Sequence, residues 1–531
     1  MAYAVSHRVY KTVGRRRYAY EYESYWDPKR RRTHQRMVRY LGPCDRKGRI
    51  LAEPKSRIEG VHSAFPVGAL AVFHAAAREL QVFERIQKVL ALGETEAAHL
   101  LVLGLNQATA RVPLYRLPDW VRASPLPKWL PLQPEELTVR SFEDALFALC
   151  HLTREKTWED RGLLLQQELT RAWRGNSREP AGAYYDITKQ AYYGSHCPYG
   201  QLGHDERGTA PVVGFGMAVS QEHHHPILCR VLPGGQNDSL SVTPTLELLQ
   251  SQGLRHLTLV MDKGMTSKPN VRAARAAGYH VIGSVKGWSK EAVAYASRWP
   301  GDELERSEFV VGTSHGGAVY ARGFTAPLLE FPELRIAVVE NLSRKAEDRQ
   351  ARDLMLRELE GSVSKARLEE IRAELGEVIV PAHGRRGFRV DPEAVERERA
   401  LDGRFLLFST DLHLDGREMY RTYFAKDAVE KAFRTSKGEL ALGPVRYRRK
   451  DRLDSYATVV YLAYLLWSWA ERRLRAKYPE RHLAEALRSL ESVSWVRIGA
   501  GKSVREWCTR LTTEQKDLLS AVGGLACLPA T

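Results

Sequence analysis

Two short apolar runs decide the fold of the central region: LTLVMDKGM at residues 257–265 and AYYDIT at residues 183–188. Both are rich in β-branched, aromatic or other apolar residues, and this composition predicts buried strands. Each run carries an aspartate, Asp186 or Asp262, at or near its end. Further predicted strands and helices alternate from residue 211 to residue 285, which predicts a mixed α/β sheet. A strand-end aspartate often caps the next turn, so for either residue alone a structural role is the alternative.

A second feature is a set of polar residues with helical spacing. Tyr423 is the first of them, and the others follow it by three, seven and fourteen residues. At about 100° per residue in an α-helix, they all lie within about 60° of arc. The opposite flank carries Phe424, Ala428 and Ala432, which are predicted to pack against a core. A carboxylate between two ammonium groups suits a site for a metal ion and a phosphate, whereas a solvated amphipathic helix is the alternative. The polar members are Tyr423, Lys426, Glu430 and Lys437.

Together these motifs resemble the Tyr-x2-Arg-x3-Glu-x6-Lys signature of DDE insertion-sequence transposases, with Lys426 at the Arg position. Asp186, in a Tyr-Asp-x-Thr setting, resembles the first acid of that family, and Asp262, in an Asp-x-Gly-Met setting, resembles the second. The resemblance implies a ribonuclease-H-like catalytic core whose sheet carries these two acids. It covers most of the chain, because similar segments also occur at 38–42, 105–109, 232–238 and 403–410.

The resemblance identifies Asp186, Asp262 and Glu430 as catalytic residues and metal ligands. Three carboxylates brought together would repel one another and raise at least one pKa unless cations compensate them. Oxygen ligands of this type suit two Mg²⁺ or Mn²⁺ ions. In such a pair, one ion would activate the attacking water or 3′-hydroxyl, and the other would stabilise the leaving oxygen.

A few other carboxylates compete for these roles. Asp205 and Asp238 lie in turn-like sequences, where an aspartate more often caps a turn or a helix. Asp427 lies only about 40° outside the helical stripe and is therefore a weaker rival of Glu430. Glu439 would point away from the stripe. The two strand aspartates and Glu430 are therefore the preferred set.

The charge of the chain indicates a polyanionic partner. Eighty Lys and Arg against sixty-four Asp and Glu give a net charge of +16 and a sequence pI near 9.5, which favours nucleic acid. Residues 1–60 hold sixteen basic residues against six acidic ones, interleaved with tyrosines. Such residues can bind phosphates and stack on bases, whereas arginine placed on a sheet for solubility is the alternative. The candidate DNA contacts here are Arg15, Arg16 and Arg17.

A second group of candidate DNA contacts lies on and after the predicted helix. Lys426 and Lys437 are expected to contact phosphates next to the cut. Tyr423 is expected to donate to a phosphate or to orient a carboxylate. Lysine at position 426 keeps the charge of the family's arginine but loses its planar bidentate donor. The basic run that follows the helix adds Arg446, Arg448 and Arg449.

The chain is long enough for two to four domains. The predicted fold class is α/β, with a ribonuclease-H-like core, an inserted subdomain and a largely helical N-terminal region preceded by a small β unit. The predicted regions are a basic β unit at 1–60, a helical region that could bind DNA ends at 61–175, the first part of the core at 176–300, the insertion at 301–402, the second part of the core with the Glu430 helix at 403–475, and a helical C-terminal region at 476–531.

The sequence also predicts a location. Six scattered cysteines without Cys-x-x-Cys spacing indicate a reducing cytosol. The first eight residues lack an apolar signal core. The most apolar predicted helix, about 456–470, is fifteen residues long, which is short of the roughly 20 that a membrane span requires. We therefore expect a cytoplasmic, nucleoid-associated protein with no membrane partner.

The expected function is that of a DDE transposase. It would bind double-stranded DNA at terminal inverted repeats, cleave the element ends and join the freed 3′-hydroxyls to target DNA, as a homo-oligomer in a synaptic complex. A cut-and-paste route is favoured by analogy alone. A metal-dependent nuclease that uses only water as its nucleophile is one alternative. A catalytically silent DNA-binding derivative of a transposase is another.

Overall fold

A computed structural model describes most of the chain. Arg15, one of the predicted DNA-binding residues, lies outside the described residues, as does Glu439. The side chains of Asp205 and Asp427 also lie outside the description. The described residues are 5–14, 16–27, 32–51, 60–153, 155, 157–174, 182–205, 208–285, 289–361, 363–382, 387–438, 440, 442–443, 445–500 and 503–529.

The strands and helices are numbered in chain order. The strands are β1 Val5–Val13, β2 Arg16–Asp27, β3 Arg32–Cys44, β4 Gly60–Pro66, β5 Cys150–Leu152, β6 Trp158–Asp160, β7 Gly182–Ala191, β8 Gln201–Asp205, β9 Gly208–Ser220, β10 Pro226–Pro233, β11 Thr258–Met261, β12 His280–Ser284, β13 Val310–Ser314, β14 Gly317–Leu328, β15 Phe331–Asn341, β16 Ile379–Pro381, β17 Phe388–Val390, β18 Arg404–Ser409, β19 Ser494–Ala500 and β20 Ser503–Cys508. The helices are α1 Gly68–Glu79, α2 Val82–Leu90, α3 Glu94–Ala108, α4 Leu117–Ala123, α5 Leu126–Trp129, α6 Val139–Leu149, α7 Arg161–Arg174, α8 Val242–Ser251, α9 Lys268–Ala276, α10 Lys290–Ala296, α11 Gly301–Leu304, α12 Leu342–Glu360, α13 Lys365–Leu375, α14 Pro392–Arg399, α15 Gly416–Phe424, α16 Asp427–Lys437, α17 Lys450–Lys477, α18 Leu483–Ser489 and α19 Thr513–Ala521. Short 3₁₀ helices occur at Leu114–Arg116, Pro134–Glu136, Asp238–Ser241, Ser307–Phe309, Gly376–Val378 and Gly524–Cys527.

The chain divides into two compact units, and the smaller one contains Met1–Val67, Glu491–Thr513 and Leu528–Thr531. In this unit β1, β2 and β3 form an antiparallel sheet in that order. A second antiparallel sheet has the order β20-β19-β4. The first sheet lies within the residues where the small β unit is expected, whereas the second joins segments more than 400 residues apart in sequence.

The predicted helical C-terminal region at 476–531 is helical only in part. Helices α18 and α19 are present, but β19 and β20 form a hairpin between them. Trp495 is buried, and the β-branched residues Val496 and Ile498 are of the kind that strands favour. Because the partner strand β4 comes from the other end of the sequence, local patterns in the C-terminal region do not reveal the pairing.

The larger unit, Gly68–Leu490 and Glu514–Cys527, is built on a mixed sheet of ten described strands. Its order is β10-β9-β7-β11-β12-β18-β15-β14-β13, with β8 paired to β9. Strands β7, β11 and β12 are parallel to one another, and the other neighbouring pairs are antiparallel. A parallel pair requires a crossover connection, and α9 supplies it between β11 and β12.

The central strands are buried because helices cover them. Leu246 and Leu249 on α8 and Val271 on α9 are spaced for one helical face, and they join the apolar core of the sheet. Residues 258–261 of β11 are apolar on both faces, as expected for a strand inside a parallel sheet. The core therefore fixes where β11 ends, and the residue after that end is Asp262.

The long helix α17 is buried along most of its length. It packs against α3, α6 and α7 and against β10. Gly104 on α3 allows a close approach, since a Cβ atom there would lie 3.2 Å from the Cβ of Leu462. Within the described part of the chain, no helix is long and apolar enough to cross a membrane.

The predicted insertion at 301–402 is wrong in its boundaries. Strands β13, β14 and β15 belong to the central sheet, where Val338 on β15 pairs with Leu406 on β18. Residues 336–339 are completely buried, so this segment contributes to the core. Only the following part, with α12, α13, α14 and the β16-β17 hairpin, has a separate apolar cluster. That cluster includes Leu359, Ile371 and Val378.

A buried ion pair connects two neighbouring strands of the sheet. The carboxylate of Glu340 on β15 is fully buried and accepts hydrogen bonds from Arg404 on β18, with Nε at 3.1 Å and Nη2 at 3.0 Å. Lys345 also donates to this carboxylate. Arg404 donates further to the carbonyl oxygens of Ala296 and Trp299 at 2.8 and 2.9 Å. The charges are thus paired and hydrogen-bonded, which is the condition for burying them.

We expect Glu340→Ala to destabilise the larger unit by about 3–5 kcal/mol, because Arg404 would remain buried without its carboxylate. Urea unfolding followed by tryptophan fluorescence measures the loss. The control is Glu396→Ala, which removes an exposed ion pair with Arg399 on α14 and should leave the unfolding midpoint almost unchanged. Equal midpoints for the two variants would show that the Glu340 pair adds nothing to stability.

Candidate active site

Two aspartates are brought together by the parallel pairing of β7 and β11. Tyr185 on β7 pairs with Met261 on β11. Asp186 follows Tyr185 and Asp262 follows Met261, so the two aspartates come next to each other on the two adjacent segments. Neighbouring strands lie about 4.8 Å apart, and residues in the same register point to the same face. The electrostatic interaction between the two carboxylates reflects this proximity. The sequence prediction that both aspartates lie at the end of a strand therefore holds for Asp262, whereas Asp186 lies in the middle of β7.

Lys426 is the direct partner of Asp262. Its Nζ atom donates to Oδ1 of Asp262 at 2.7 Å and lies 4.9 Å from the ring centroid of Tyr423. Burial alone would raise the pKa of Asp262, but the hydrogen bonds and charges of Lys426 and Lys263 together outweigh it, and the pKa is lowered. Burial alone would lower the pKa of Lys426, but the bond to Asp262 and the charge interactions with Tyr423, Asp262 and Asp186 together outweigh it, and the pKa is raised. This pair holds one carboxylate of the site ionised.

Asp186 has the opposite electrostatic environment. Burial raises its pKa to about 6, and the negative charges of Asp262 and Glu430 add to the effect. A hydrogen bond from the backbone of Ile187 and the charge of Lys426 oppose it only in part. The two aspartates therefore differ in their proton affinity, although they lie side by side.

The predicted single helix from Tyr423 to Lys437 is wrong, because the structure has two helices there. α15 ends at Phe424 and α16 begins at Asp427. Around the break the backbone makes hydrogen bonds between residues three apart, as in a 3₁₀ helix. The N–H of Lys426 donates to the carbonyl of Tyr423, and the N–H of Val429 donates to the carbonyl of Lys426. Tyr423 is therefore on a different helix from Glu430, and the four residues do not form one continuous stripe.

The buried face of α16 agrees in part with the prediction, at Ala432. Val429, Ala432 and Phe433 are buried, and the helix packs against β7 and β9. Phe424, predicted to be in the core, is 43% exposed. Glu430 and Lys437 are exposed on α16, and they are separated by about two helical turns. Glu430 thus lies on a helix that is anchored to the strand of Asp186.

The donor set at this site fits a hard divalent cation in its chemistry. Asp186 and Asp262 supply adjacent carboxylate oxygens, and a cation beside Asp186 would offset the charge that burial disfavours. Among the described residues, no three His, Cys, Asp or Glu side chains are close enough to share one metal ion. The geometry thus brings the two aspartates together, and it leaves Glu430 apart from them.

One comparison with known proteins shows the family of this chain. The sequence profile of the family described as "Transposase DDE domain" matches residues 195–466, about half of the chain. The chain belongs to the DDE transposase family. The matched residues include Asp262 and Glu430, whereas Asp186 precedes them.

Two further comparisons do not add to the family assignment. A comparison with curated proteins found no match. Among solved structures, the piggyBac transposase synaptic complex with hairpin DNA aligns with 80% of this chain and 79% of its own, at 10% sequence identity and a TM-score of 0.38. At that TM-score the alignment adds nothing to the family assignment.

One rival carboxylate of this DDE-domain protein has a structural role. Asp238 begins a 3₁₀ helix and lies 3.8 Å from the Nζ atom of Lys189. Its backbone carbonyl accepts a hydrogen bond from the hydroxyl of Ser241 at 2.6 Å. The side chain is 42% exposed and does not join the pair of strand aspartates. The expectation that it belongs to a turn agrees with this geometry.

The basic run after α16 is only partly available to DNA. Arg449 forms an ion pair with Asp451 at 2.7 Å, and Lys450 forms one with Asp454 at 2.6 Å. Arg446 and Arg448 are exposed. Of the three predicted DNA contacts in this run, Arg449 is therefore already paired within the transposase fold.

A second charged cluster, which no sequence motif predicted, lies at the start of α17. Asp454 accepts a hydrogen bond from the hydroxyl of Tyr199 at 3.1 Å and pairs with Lys450. Burial and the charge of Asp454 raise the pKa of Asp160 to about 6. The four-residue spacing of Lys450 and Asp454 is a visible signal of their pairing, but Tyr199 and Asp160 are remote in sequence.

The pKa of Asp186 predicts a pH-dependent stability. Because the folded protein binds this proton more tightly than the unfolded chain, the wild-type protein should lose stability as the pH rises from about 4 through 6. Asp186→Asn does not titrate, so it should be more stable than wild type above pH 6 by about 1–3 kcal/mol, and the two should converge near pH 4. Thermal unfolding in EDTA across pH 4–8 measures the difference. A constant offset at every pH would contradict the environment described for Asp186.

Proposed function

We propose that this protein is a DNA transposase that binds the terminal inverted repeats of its element, cleaves the ends and transfers the strands to target DNA. The observation that carries the proposal is the pair Asp186 and Asp262 on adjacent parallel strands, with Lys426 bonded to the second. Neighbouring carboxylates next to a cation, with Asp186 partly buried and Asp262 about half exposed, suit phosphoryl-transfer chemistry. Membership of the DDE transposase family supports the same reaction class.

Within the family, we place the chain in the branch with the Tyr-x2-Arg-x3-Glu-x6-Lys signature and assign a ribonuclease-H-like core. The first five strands of the core, read across the sheet, have the order β10-β9-β7-β11-β12. β9 is antiparallel to β7 and β10, whereas β11 and β12 are parallel to β7. This arrangement, in which the first strand lies at the centre and carries the first acid, supports the assignment.

In the proposed site, Asp186, Asp262 and Glu430 would hold two Mg²⁺ or Mn²⁺ ions, which supply a nucleophilic oxygen at neutral pH and charge compensation at the leaving oxygen. Asp186 and Asp262 are fixed by the sheet, so they define the position of the scissile phosphate. Glu430 would complete the set from the exposed face of α16. Lys426 keeps Asp262 ionised and can contact an adjacent phosphate.

The other proposed DNA contacts are residues whose side chains are exposed and positively charged. Lys437, Arg446 and Arg448 are exposed basic residues on and after α16. Double-stranded DNA would be held by such residues through its phosphates, with release of counterions. Tyr423 is buried, and its neighbours are Lys426 and Phe424, so its proposed role is to position Lys426. A homo-oligomer in the synaptic complex is part of the proposal.

We expect Asp186→Ala, Asp262→Ala and Glu430→Ala each to abolish cleavage of a labelled element end with Mg²⁺, because each removes an oxygen donor from the site. Binding of the same DNA in a gel-shift assay should persist, since the basic residues are unchanged. A variant that cleaves at a near-normal rate would remove its residue from the catalytic set.

The matched control is Asp238→Ala, which removes an exposed carboxylate outside the site and should cleave normally. The same reactions also separate the proposed transposase from a nuclease. If the cut ends are joined to a target plasmid, the 3′-hydroxyl acts as a nucleophile. Cleavage without any joining would favour the metal-dependent nuclease, and binding without cleavage would favour the silent derivative.

Lys437 should matter more for cleavage than for folding. It lies about two turns beyond Glu430 on the same face of α16, where an ammonium group could hold a phosphate. Lys437→Ala should therefore lower the cleavage rate with little change in thermal stability. Lys431 is also exposed on α16 but lies about 120° round the helix, so Lys431→Ala should have the smaller effect. Equal losses would mean that the total charge of α16, and not the face, determines activity.

A further inference from the structure

The first three strands form a sheet whose two faces differ in chemistry. β2 pairs with β1 without a break in register, so its even-numbered and odd-numbered residues point to opposite faces. Both register shifts in the pairing with β3 add a residue to β3, so β2 keeps its alternation. The face of the even-numbered residues, here called the aromatic face, carries Tyr18, Tyr20, Tyr22 and Trp26 from β2, Lys11 from β1 and Tyr40 from β3.

The opposite face, here called the paired face, has its charges engaged within the protein. Glu21 and Glu23 on β2 accept hydrogen bonds from Arg39 and Arg36 on β3 at 2.6 and 2.9 Å. Arg17 donates to the carbonyl of Arg46 at 3.0 Å and stacks on Tyr10 with its guanidinium carbon 4.7 Å from the ring centroid. The net positive charge of this face is therefore reduced by its acids.

The aromatic face has a different charge pattern. Its described residues include Lys11, Arg16 and His7 and no carboxylate. Lys11 donates to the hydroxyl of Tyr22 at 2.7 Å and lies 5.5 and 5.1 Å from the ring centroids of Tyr20 and Tyr22. A cation on a ring keeps its charge and can still attract a phosphate. The face is thus cationic as well as aromatic.

Much of the aromatic surface remains in contact with solvent. Trp26 is 52% exposed and Tyr40 is 43% exposed. The ring of Tyr40 lies 6.1 Å from that of Tyr18 and 5.3 Å from that of Tyr20, so these three rings form one continuous surface. Exposed aromatic rings on one face, with cations among them, are typical of a surface on which bases stack.

We propose that the aromatic face binds single-stranded DNA through its unpaired bases. Alternate residues on β2 are about 7 Å apart, which is about twice the 3.4 Å rise of a strand in duplex DNA, so the rings suit bases that have separated from one another. A duplex presents phosphates and hides the faces of its bases, so it would use the cations but not the rings. The proposal rests on the proposed function in one respect: cleavage at element ends is what would supply single strands.

The test compares residues of the same kind that point to opposite faces. Binding of the full chain to a fluorescein-labelled 20-nucleotide oligo(dT) and to a blunt 20-base-pair duplex is measured by fluorescence anisotropy over a series of salt concentrations. Trp26→Ala and Arg16→Ala alter the aromatic face. Their matched controls, Tyr25→Ala and Arg8→Ala, remove the same kind of group from the paired face. Circular dichroism confirms that the variants remain folded.

We expect Trp26→Ala to weaken oligo(dT) binding by about 5- to 100-fold, the effect of losing one stacked base, and to leave duplex binding within about twofold. Arg16→Ala should lower the salt dependence of oligo(dT) binding, and both control variants should behave like wild type. Trp26→Phe should recover most of the affinity, because it keeps an aromatic ring.

Other results would overturn the proposal. Equal losses in Trp26→Ala and Tyr25→Ala would remove the distinction between the faces. Parallel losses for oligo(dT) and duplex would identify a duplex-binding surface. Unchanged DNA binding with a changed oligomeric state, measured by light scattering, would assign the face to contact with a second copy. None of these results depends on cleavage, so failure here and failure of the Asp186, Asp262 and Glu430 assignment are distinguishable.

Discussion

The candidate site depends on the parallel pairing of β7 with β11. That pairing puts Tyr184 opposite Val260 and so makes Asp186 and Asp262 neighbours. β11 is apolar on both faces and lies between β7 and β12, so its position is fixed by packing on every side. A shift of one residue would turn Asp186 to the other face of the sheet and separate the carboxylates. The packing of the hydrophobic core therefore determines the relative position of the two carboxylates, although neither carboxylate is part of that core.

The two carboxylates differ in their surroundings. Lys426 bonds to Asp262, whereas burial raises the pKa of Asp186. Two adjacent carboxylates without compensation would repel each other. The interruption between α15 and α16 lies at the residue that makes this contact, since Lys426 precedes the first residue of α16. In one continuous helix, Lys426 and Glu430 would lie on the same face. Because of the break, Lys426 contacts the carboxylate of Asp262, whereas Glu430 lies on a separate helix, α16, which packs against β7.

Local sequence patterns predicted the elements well and their partners poorly. The apolar runs around Asp186 and Asp262 do form β7 and β11, and the segment at 404–409 is β18. The break after Phe424 was not predicted, because no Gly or Pro marks it in the sequence Phe424-Ala425-Lys426-Asp427. The pairings of β19 with β4 and of β15 with β18 were missed because the partner strands are distant in sequence. Spacing within a segment reports which face is apolar, but it does not report which distant segment will cover that face.

At the start of the chain, a count of basic residues likewise does not show which of them share a face of the sheet. Arg16 and Arg17 are equivalent in any count of basic residues, yet alternation along β2 sends them to opposite faces. Arg17 stacks on Tyr10 and bonds to a backbone carbonyl, so much of its donor capacity is used inside the protein. Trp26 on the other face gains little from folding, since about half of its surface stays in water. Backbone pairing and the ion pairs of Glu21 and Glu23 contribute to the stability of the sheet, whereas the exposed surface of Trp26 is available to a ligand.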